Sequence, residues 1–418
     1  MEPKPPNNTL FPLNDLSVEI AGVKFSNPFL LAASPSTDEL DPLRRAFQLD
    51  WGGAILKTTS IGANIHLAAP YISGSLSTDG QIRSLGNTDL ISIYPVEEVA
   101  RRVEILKTEF PDRVVAASIM GWNKTSWRKA AKTLVSAGVD FLECSFSCPQ
   151  GNLGEAPGRM LAQSVEASRT ATGWVKQAAG STPVFIKITP LVNDIQEIAA
   201  AIYAEGADGI TASNSIPALM GIDLATGRPI PNVDGISTYS GLTGPAIKPI
   251  SLRVISEISC AVKCPILATG GASTWQDAVE MMMVGASAVQ FCTVVMLKGL
   301  GIIDDLVSGM SDYLRQRSLT SPKDIIGAAL PYLVEHSKLP IRPLKSHISE
   351  SLCIKCGLCV TSCQDGAHQA ISWNSNRLPK LDKERCTGCG LCRVVCPVPD
   401  CISLKVDPVE SSEDSNNH

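Results

Sequence analysis

The sequence has no block of basic residues and is poor in histidine and aromatic residues. Its formal net charge is −5, with 36 Lys and Arg against 41 Asp and Glu, 5 His and 5% aromatic residues. Nucleic-acid-binding proteins carry clustered Lys and Arg, so this balance argues against that class. No G-x-G-x-x-G motif occurs either. Its absence argues against an open sheet that binds a dinucleotide after its first strand.

Long apolar segments are also scarce. The polar, Pro-rich start MEPKPPNNTL has no apolar run typical of a signal peptide, so we expect a cytoplasmic protein. The longest apolar stretch, residues 281–297, is slightly short for a membrane span and contains Gly285, Ser287, Gln290 and Thr293. We interpret it as the end of a helix, a turn and a buried strand, and predict no membrane segment.

Between residues 29 and 293 one pattern recurs, in which a short apolar run precedes a stretch with helical periodicity. The apolar runs are FLLAAS, GAILKTT, VVAASIM, FLECSFS, VFIKIT, GITASN, PILATGG and AVQFCT. Continuous apolar strands that alternate with helices are typical of parallel βα units. Eight such units in about 270 residues predict an α/β fold with a closed (β/α)8 TIM barrel.

The barrel is predicted to be one of five parts of the chain. These are a disordered N-terminal segment (1–15), the barrel (16–302), a helical linker (303–347), a small α+β ferredoxin-like domain (348–407) and a disordered tail (408–418). Residues 16–28 alternate like a hairpin that could cap the bottom of the barrel. Residues 217–245 are too long and too rich in Gly and Pro for an ordinary connection, which indicates a functional loop.

Nine of the 14 cysteines lie within residues 353–401. CIKCGLCVTSC and CTGCGLCRVVCP both have the C-x2-C-x2-C-x3-C spacing of a two-cluster ferredoxin, in which the fourth cysteine of each run binds the other cluster. This rule predicts two ligand sets, Cys353, Cys356, Cys359 and Cys396, and Cys386, Cys389, Cys392 and Cys363. A pair of zinc knuckles is the alternative, although zinc sites usually pair cysteines at longer separations. Cys401 is left unassigned.

The C-terminal ends of the strands carry the active sites of barrel enzymes. Lys57 and Lys187 follow apolar strands, where a structural lysine is unusual, and would suit the negative charge of a reduced flavin. TGG at 269–271 and CT at 292–293 follow the seventh and eighth strands, where barrels commonly bind phosphate. A flavin would also link one-electron transfer by clusters to two-electron organic chemistry.

These motifs resemble the FMN barrel of the dihydroorotate and dihydropyrimidine dehydrogenases. The matching stretches, in order, are NPFLLAAS, LKTTS, ECSFSCPQ, FIKITP, TASNS, GLTGPAIKPISLR and ILATGG. With the ferredoxin-like end, residues 16–405 resemble the bacterial FMN and iron–sulfur subunit of dihydropyrimidine dehydrogenase. The resemblance implies FMN and two [4Fe–4S] clusters. It also implies reduction or oxidation of the C5–C6 bond of uracil, thymine and their 5,6-dihydro forms.

The resemblance assigns roles to individual residues. Cys148, in the SCP turn, would be the general acid/base that exchanges the proton at ring C5, whereas we interpret Cys144 as core packing. The implied FMN contacts are Ala33, Ser34, Lys57, Thr58, Lys187, Gly244, Thr269, Gly270, Gly271, Cys292 and Thr293. The implied substrate contacts are Asn87, Ser145, Phe146, Ser147, Asn214 and Ser215.

Two departures from the family pattern leave alternatives open. The family usually has Asn in place of Ser145 and commonly Glu in place of Asp89, and both replacements are shorter. A dehydrogenase for dihydroorotate or another cyclic amide is therefore one alternative. A non-catalytic ferredoxin-like electron relay on a degenerate barrel is another.

The chain lacks a nicotinamide-binding motif, so electrons are expected to pass to or from a partner. The resemblance implies a flavoprotein subunit that binds FAD and NAD(P) and has its own iron–sulfur clusters. It also implies a hetero-oligomer built around a barrel–barrel dimer.

Overall fold

The computed structural model describes residues 15–62, 69–76, 80–147 and 160–407. The chain forms two compact units, Met1–Leu333 and Val334–His418. No helix in the described part of the chain is long and apolar enough to cross a membrane.

The first unit alternates strands and helices. Its strands are β1 (Val18–Ile20), β2 (Val23–Phe25), β3 (Phe29–Leu31), β4 (Gly53–Ser60), β5 (Ile72–Leu76), β6 (Ile82–Asn87), β7 (Val114–Met120), β8 (Phe141–Ser145), β9 (Val184–Lys187), β10 (Gly209–Ala212), β11 (Ile216–Ala218), β12 (Ile222–Asp223), β13 (Arg228–Pro229), β14 (Ser240–Thr243), β15 (Ile266–Thr269) and β16 (Ala288–Phe291). Its α-helices are α1 (Leu40–Gln48), α2 (Val96–Glu109), α3 (Lys124–Ser136), α4 (Val165–Ala179), α5 (Ile195–Ala204), α6 (Lys248–Ala261), α7 (Trp275–Met283), α8 (Thr293–Lys298) and α9 (Ile303–Gln316).

Eight strands close into a parallel barrel. They follow each other around it in chain order, β3, β4, β7, β8, β9, β10, β15 and β16, and β16 pairs again with β3. These are the eight apolar runs of the sequence, so the predicted TIM barrel is confirmed. The runs are continuous because one face of each strand packs inside the barrel and the other packs against the helices.

The hairpin of β1 and β2 closes the N-terminal end of the barrel. Val18, Ile20 and Phe25 pack in one apolar cluster with the first inward-facing residues of the barrel strands. The Phe25 ring contacts Phe141 at a centroid distance of 6.3 Å. The hairpin therefore fills the bottom of the barrel, as the alternation of residues 16–28 predicted, and leaves the opposite end for a site.

A second sheet lies beside the C-terminal ends of the barrel strands. Its order is β11, β14, β6, β5, so part of the long 217–245 segment pairs with the segment around Asn87. A Cβ atom on Gly241 would come 2.5 Å from Ser215 Oγ, so β14 passes directly over the end of β10. The long segment thus forms ordered structure next to the predicted substrate residues.

The segment 303–347, predicted as a linker, is divided between the two units. Ile303, Leu306, Met310 and Leu314 on α9 are buried in the same hydrophobic core as the barrel helices. The boundary between the units falls after Leu333. The amphipathic pattern of α9 therefore reflects packing on the barrel.

The second unit is small and built around cysteines. Its elements are β17 (Leu344–Ile348), α10 (Leu358–Gly366), β18 (Ile371–Trp373), β19 (Pro379–Leu381), α11 (Leu391–Val395) and β20 (Ile402–Val406). Strand β17 pairs antiparallel with β20, and β18 pairs with β19. Gly357 and Gly390 precede the two helices with φ of 85° and 82°, a conformation that glycine adopts without strain. The two halves thus repeat one turn-and-helix motif, and the ferredoxin-like domain is confirmed.

Candidate active site and cysteine-lined cavities

A cleft lies at the C-terminal ends of the barrel strands. Its volume is about 470 Å³, counting the part open to solvent. The predicted FMN contacts that line it are Ala33, Lys187, Gly244, Thr269, Gly270, Gly271, Cys292 and Thr293. The predicted substrate contacts Asn214 and Ser215 line it as well. Ten of the predicted residues thus share one cleft.

One end of the cleft is lined by backbone. Gly270 and Gly271 have φ of 107° and 92°, and a Cβ atom on Gly271 would lie 2.6 Å from the backbone nitrogen of Lys248. Helix α8 begins at Thr293, whose hydroxyl donates a hydrogen bond to Thr243 Oγ1 at 3.0 Å. The missing Cβ atom thus lets Gly271 pack closely against the start of α6. Glycine-rich turns and helix N-termini commonly present backbone N–H groups to anions. This end of the cleft therefore suits a phosphate group.

Lys187 enters the cleft from the barrel interior. Its Nζ lies 3.4 Å from Glu143 Oε1, and the Glu143 side chain is completely buried. Glu143 Oε2 accepts hydrogen bonds from Thr211 Oγ1 at 3.0 Å and Gln290 Nε2 at 2.8 Å. A polar layer thus lies between the apolar bottom of the barrel and the cleft.

Lys57 and Thr58 lie at an irregularity in β4. The register between β4 and β7 shifts between Leu56 and Thr59, a distortion that commonly redirects side chains near active sites. Lys57 Nζ lies 2.6 Å from Asp89 Oδ2. Asp89, although shorter than the usual Glu, therefore still pairs with the lysine. Thr58 Oγ1 lies 2.8 Å from Ser118 Oγ.

A second carboxylate also approaches Lys57. Asp38 Oδ2 lies 3.7 Å from Lys57 Nζ, and Ser92 Oγ donates to Asp38 Oδ1 at 2.6 Å. Burial raises the pKa of Asp38, although its hydrogen bond from Ser92 and the charge of Lys57 oppose the shift. Ser34, also predicted as an FMN contact, is buried at the end of β3, with its hydroxyl 2.8 Å from Ser36 Oγ.

The predicted substrate residues are connected around β8 and β10. Asn214 Nδ2 donates to Ser147 Oγ at 2.5 Å, and Asn214 Oδ1 accepts from the backbone nitrogen of Ser215 at 2.8 Å. Ser145 pairs across β8 and β9 with Lys187. Asn87 Oδ1 is buried and has no hydrogen-bond partner.

Phe146, another predicted substrate contact, does not line the cleft. Its side chain is fully buried in the outer core, in edge contact with Trp127 at a centroid distance of 5.5 Å. The strand alternation that turns Ser145 inward turns Phe146 outward. The prediction of Phe146 as a substrate contact therefore needs correcting, because its side chain packs against helix α3.

The stretch ECSFSCPQG contains two cysteines, Cys144 and Cys148. Cys148 lies outside the described residues. Cys144 is completely buried on the outer face of β8, and burial, aided by the charge of Glu143, raises the pKa of its thiol. A thiol that resists ionisation in an apolar core has the properties of a packing residue.

The cleft contains polar atoms that the sequence did not single out. Gln290 Oε1 and Ser213 Oγ are buried without a hydrogen-bond partner, and both residues line the cleft. Buried polar atoms normally have partners, so these two are suited to contacts with a bound group. A signal was present for Gln290 and Glu143, because each is a polar residue within an apolar strand.

In the second unit the eight predicted ligands line two cavities. One, of about 310 Å³ counting the part open to solvent, is lined by Cys353, Cys356, Cys359 and Cys396, with Cys401 at its wall. The other, of about 300 Å³ on the same measure, is lined by Cys363, Cys386, Cys389 and Cys392. This is the crossed grouping expected for a two-cluster ferredoxin.

One cysteine sulfur in each cavity lies close to a backbone nitrogen. Among the described residues, no three His, Cys, Asp or Glu side chains converge on a position for one metal ion. Backbone nitrogens approach two sulfurs, Ala370 N to Cys363 Sγ at 3.3 Å and Lys355 N to Cys353 Sγ at 3.4 Å. N–H donors to sulfur are a common feature of iron–sulfur sites.

Comparisons with known proteins agree with both units. The family model described as dihydroorotate dehydrogenase matches residues 15–314, and that of a 4Fe-4S dicluster domain matches residues 346–404. The NAD-dependent dihydropyrimidine dehydrogenase subunit PreA of Escherichia coli (strain K12) is 38% identical over 397 residues, which cover 93% of this chain and 95% of that protein.

Two further relatives differ in coverage. The chloroplastic dihydropyrimidine dehydrogenase (NADP(+)) of Arabidopsis thaliana is 34% identical over 359 residues, 82% of this chain and 83% of that protein. The dihydroorotate dehydrogenase B (NAD(+)) catalytic subunit of Pyrococcus abyssi (strain GE5 / Orsay) is 32% identical over 315 residues, 75% of this chain and 99% of that protein. The latter match uses nearly the whole relative yet leaves a quarter of this chain without a counterpart.

Proposed function

Because the chain belongs to the dihydroorotate dehydrogenase family, we propose that it is the flavin and iron–sulfur subunit of a dihydropyrimidine dehydrogenase. The single observation that carries this proposal is the similarity to PreA over 93% of the chain, cysteine-rich unit included. The dihydroorotate dehydrogenase B relative covers only 75% of the chain. Uracil, thymine and their dihydro forms are therefore favoured over dihydroorotate as substrates.

The cleft residues fit an FMN. Gly270, Gly271 and the start of α8 would hold its phosphate, and Lys187 would balance negative charge on its ring. The buried, unpartnered Gln290 Oε1 supports this fit, because a ring N–H would give it a partner. When bound, FMN supplies hydride transfer to or from ring C6 and exchanges single electrons with clusters.

The chain's own side chains would orient the substrate and handle its proton. Asn87 and Asn214 offer both donors and acceptors, which match the alternating N–H and C=O groups of a uracil ring. Cys148, one residue beyond Ser147, would give a proton to ring C5 during reduction and take it back during oxidation. The buried Cys144, with its raised pKa, is unsuited to that role.

The cysteine-lined cavities would each hold one [4Fe–4S] cluster, with the crossed ligand sets given above. A cluster exchanges one electron at a time. The Escherichia coli relative is named as a subunit of an NAD-dependent enzyme, whereas this sequence has no dinucleotide-binding motif. We therefore include in the proposal a partner flavoprotein that binds FAD and NAD(P) and has its own clusters. The assembly would be a hetero-oligomer around a barrel–barrel dimer.

Anaerobic titration of the purified full-length chain tests the proposal. Dihydrouracil or dihydrothymine should bleach the flavin absorbance near stoichiometrically, whereas dihydroorotate should not. An artificial dye should sustain turnover with a dihydropyrimidine, and NADH alone should not reduce the chain. Bleaching by dihydroorotate alone would point to the cyclic-amide alternative. A chain without flavin that still passes electrons would be a relay and would contradict the proposal.

A further inference from the structure

Glu143 is an unusual residue for the inside of a barrel. It stands in the middle of the apolar strand β8, on the inward face between Phe141 and Ser145, and has no exposed surface. Buried carboxylates are rare unless their charge is compensated. Its presence therefore requires a role or a set of partners that offset its burial.

The partners of Glu143 come from three other strands. Lys187 at the end of β9 places its Nζ 3.4 Å from Glu143 Oε1, and Oε1 accepts no hydrogen bond from the described residues. Thr211 on β10 and Gln290 on β16 donate to Oε2 at 3.0 and 2.8 Å. One carboxylate thus fixes three side chains around the interior of the barrel.

Two of these three partners also contribute to the cleft. Lys187 and Gln290 both line it, and Thr211 pairs across the strands with Lys187 without lining it. Because Gln290 donates through Nε2 to Glu143, its carbonyl oxygen Oε1 is the end left without a partner. Glu143 therefore orients one cation and one acceptor toward the space in which the proposed function places a flavin.

From this arrangement we infer that Glu143 is a positioning residue that sets the electron affinity of the bound flavin through Lys187 and Gln290. The inference rests on the proposed function. Reduction of a neutral oxidised flavin by two electrons and one proton gives an anionic hydroquinone. Lys187 favours that anion, and the negative charge of Glu143 counteracts part of the Lys187 field at short range.

The sign of the effect follows from the charges. Glu143→Gln removes the negative charge but keeps an oxygen that can accept from Lys187, so the lysine stays in place with its field uncompensated. The two-electron midpoint potential of FMN should therefore rise. The expected shift corresponds to an increase of on the order of tenfold in the equilibrium constant for reduction. For a two-electron couple this is about 30 mV.

Thr211→Val should shift the midpoint potential of FMN in the opposite direction, through the same carboxylate. Valine has nearly the shape of threonine but donates no hydrogen bond, so the positive end of the hydroxyl dipole no longer offsets part of the Glu143 charge. The potential should fall by a smaller amount, roughly threefold in the equilibrium constant. A purely structural role for Glu143 predicts no such pair of opposite shifts.

The experiment is an anaerobic spectroelectrochemical titration of the FMN in the full-length chain, with FMN dissociation constants measured in parallel. The matched control is Glu97→Gln, which removes an exposed carboxylate that pairs with the exposed Lys129, and it should leave the potential unchanged. A folded, FMN-loaded Glu143→Gln protein with an unchanged or lower potential overturns the inference. Should that variant not bind FMN, the sign of the Thr211→Val shift decides.

Failure of this inference and failure of the proposed function give different results. If the wild-type chain binds no FMN, or dihydropyrimidines do not bleach it, the proposed function is wrong. If the wild-type chain passes both tests while Glu143→Gln and Thr211→Val leave the potential where it was, only the role of Glu143 is wrong.

Discussion

Two cysteines of one helix offer a sharp test of the crossed cluster ligands. Cys359 and Cys363 lie one helical turn apart on α10 and are similarly buried, yet they line different cavities. Cys359 shares its cavity with Cys353, and Cys363 shares its cavity with Cys386. Replacing either cysteine with alanine should therefore damage a different cluster.

The size of the loss follows from the number of irons. Each of the two proposed [4Fe–4S] clusters would contain four, so each single variant should lose up to about four of about eight irons per chain. Double variants show which cysteines bind the same cluster. Cys363→Ala combined with Cys386→Ala should lose no more iron than Cys386→Ala alone, because both act on one cluster. Cys363→Ala combined with Cys353→Ala should lose iron from both.

The assay is iron and acid-labile sulfide per chain after anaerobic purification, with electron paramagnetic resonance of the dithionite-reduced protein. Cys260→Ala, an exposed cysteine of the barrel unit, is the control and should retain all the iron. Equal loss in Cys359→Ala, Cys363→Ala and their double variant would place both residues on one cluster and refute the crossed grouping. Stoichiometric zinc without sulfide would refute iron–sulfur ligation altogether.

Two further predictions concern the barrel. Lys187→Met should lower the free energy of unfolding of the barrel by roughly 3–5 kcal/mol, because it leaves the buried Glu143 carboxylate without its cation. Urea unfolding should show partial recovery when Glu143→Gln is added, and no recovery would contradict the account. Cys148→Ala should reduce turnover by roughly 10²–10⁴-fold while FMN and iron contents stay normal. Cys144→Ala should keep near wild-type turnover in the same steady-state assay. If Cys144→Ala is the inactive variant, the assignment of the two thiols is reversed.

The barrel could be predicted because each of its strands can be recognised from its own residues alone. Each barrel strand is buried on both faces, so it appears as a short apolar run whatever its neighbours. The cluster ligands could be predicted for the same reason, because the spacing within each cysteine run decides which sulfurs lie on one loop. Prediction of α9 as part of a linker was less successful, because an amphipathic helix has the same pattern on any apolar surface.

Side-chain direction was harder to predict than strand position. Phe146 follows the last residue of β8, and only the strand alternation shows that it faces outward. Glu143 carried a usable signal, a charge within FLECS, but its partners come from strands that are distant in sequence. Pairing of Asn87 with the 217–245 segment depends on a separate sheet for which no sequence motif exists.

Ser213 offers a separate test of whether the polar atoms of the cleft contact a bound group. Its hydroxyl is buried, lines the cleft and has no partner. Leaving such a group unsatisfied costs about 1–3 kcal/mol, so Ser213→Ala should stabilise the flavin-free chain. If bound FMN or substrate supplies the missing partner, the same variant should bind that ligand more weakly.

A matched control separates this effect from a general effect of losing a buried hydroxyl. Ser168 is also fully buried, but its hydroxyl donates to the carbonyl oxygen of Leu161 at 3.3 Å, away from the cleft. Ser168→Ala should therefore destabilise the chain, by about 1 kcal/mol, and leave FMN affinity unchanged. Melting temperatures with and without FMN, together with FMN dissociation constants, give both quantities. Ser213→Ala that destabilises the flavin-free chain would show that the hydroxyl already has a partner within the protein.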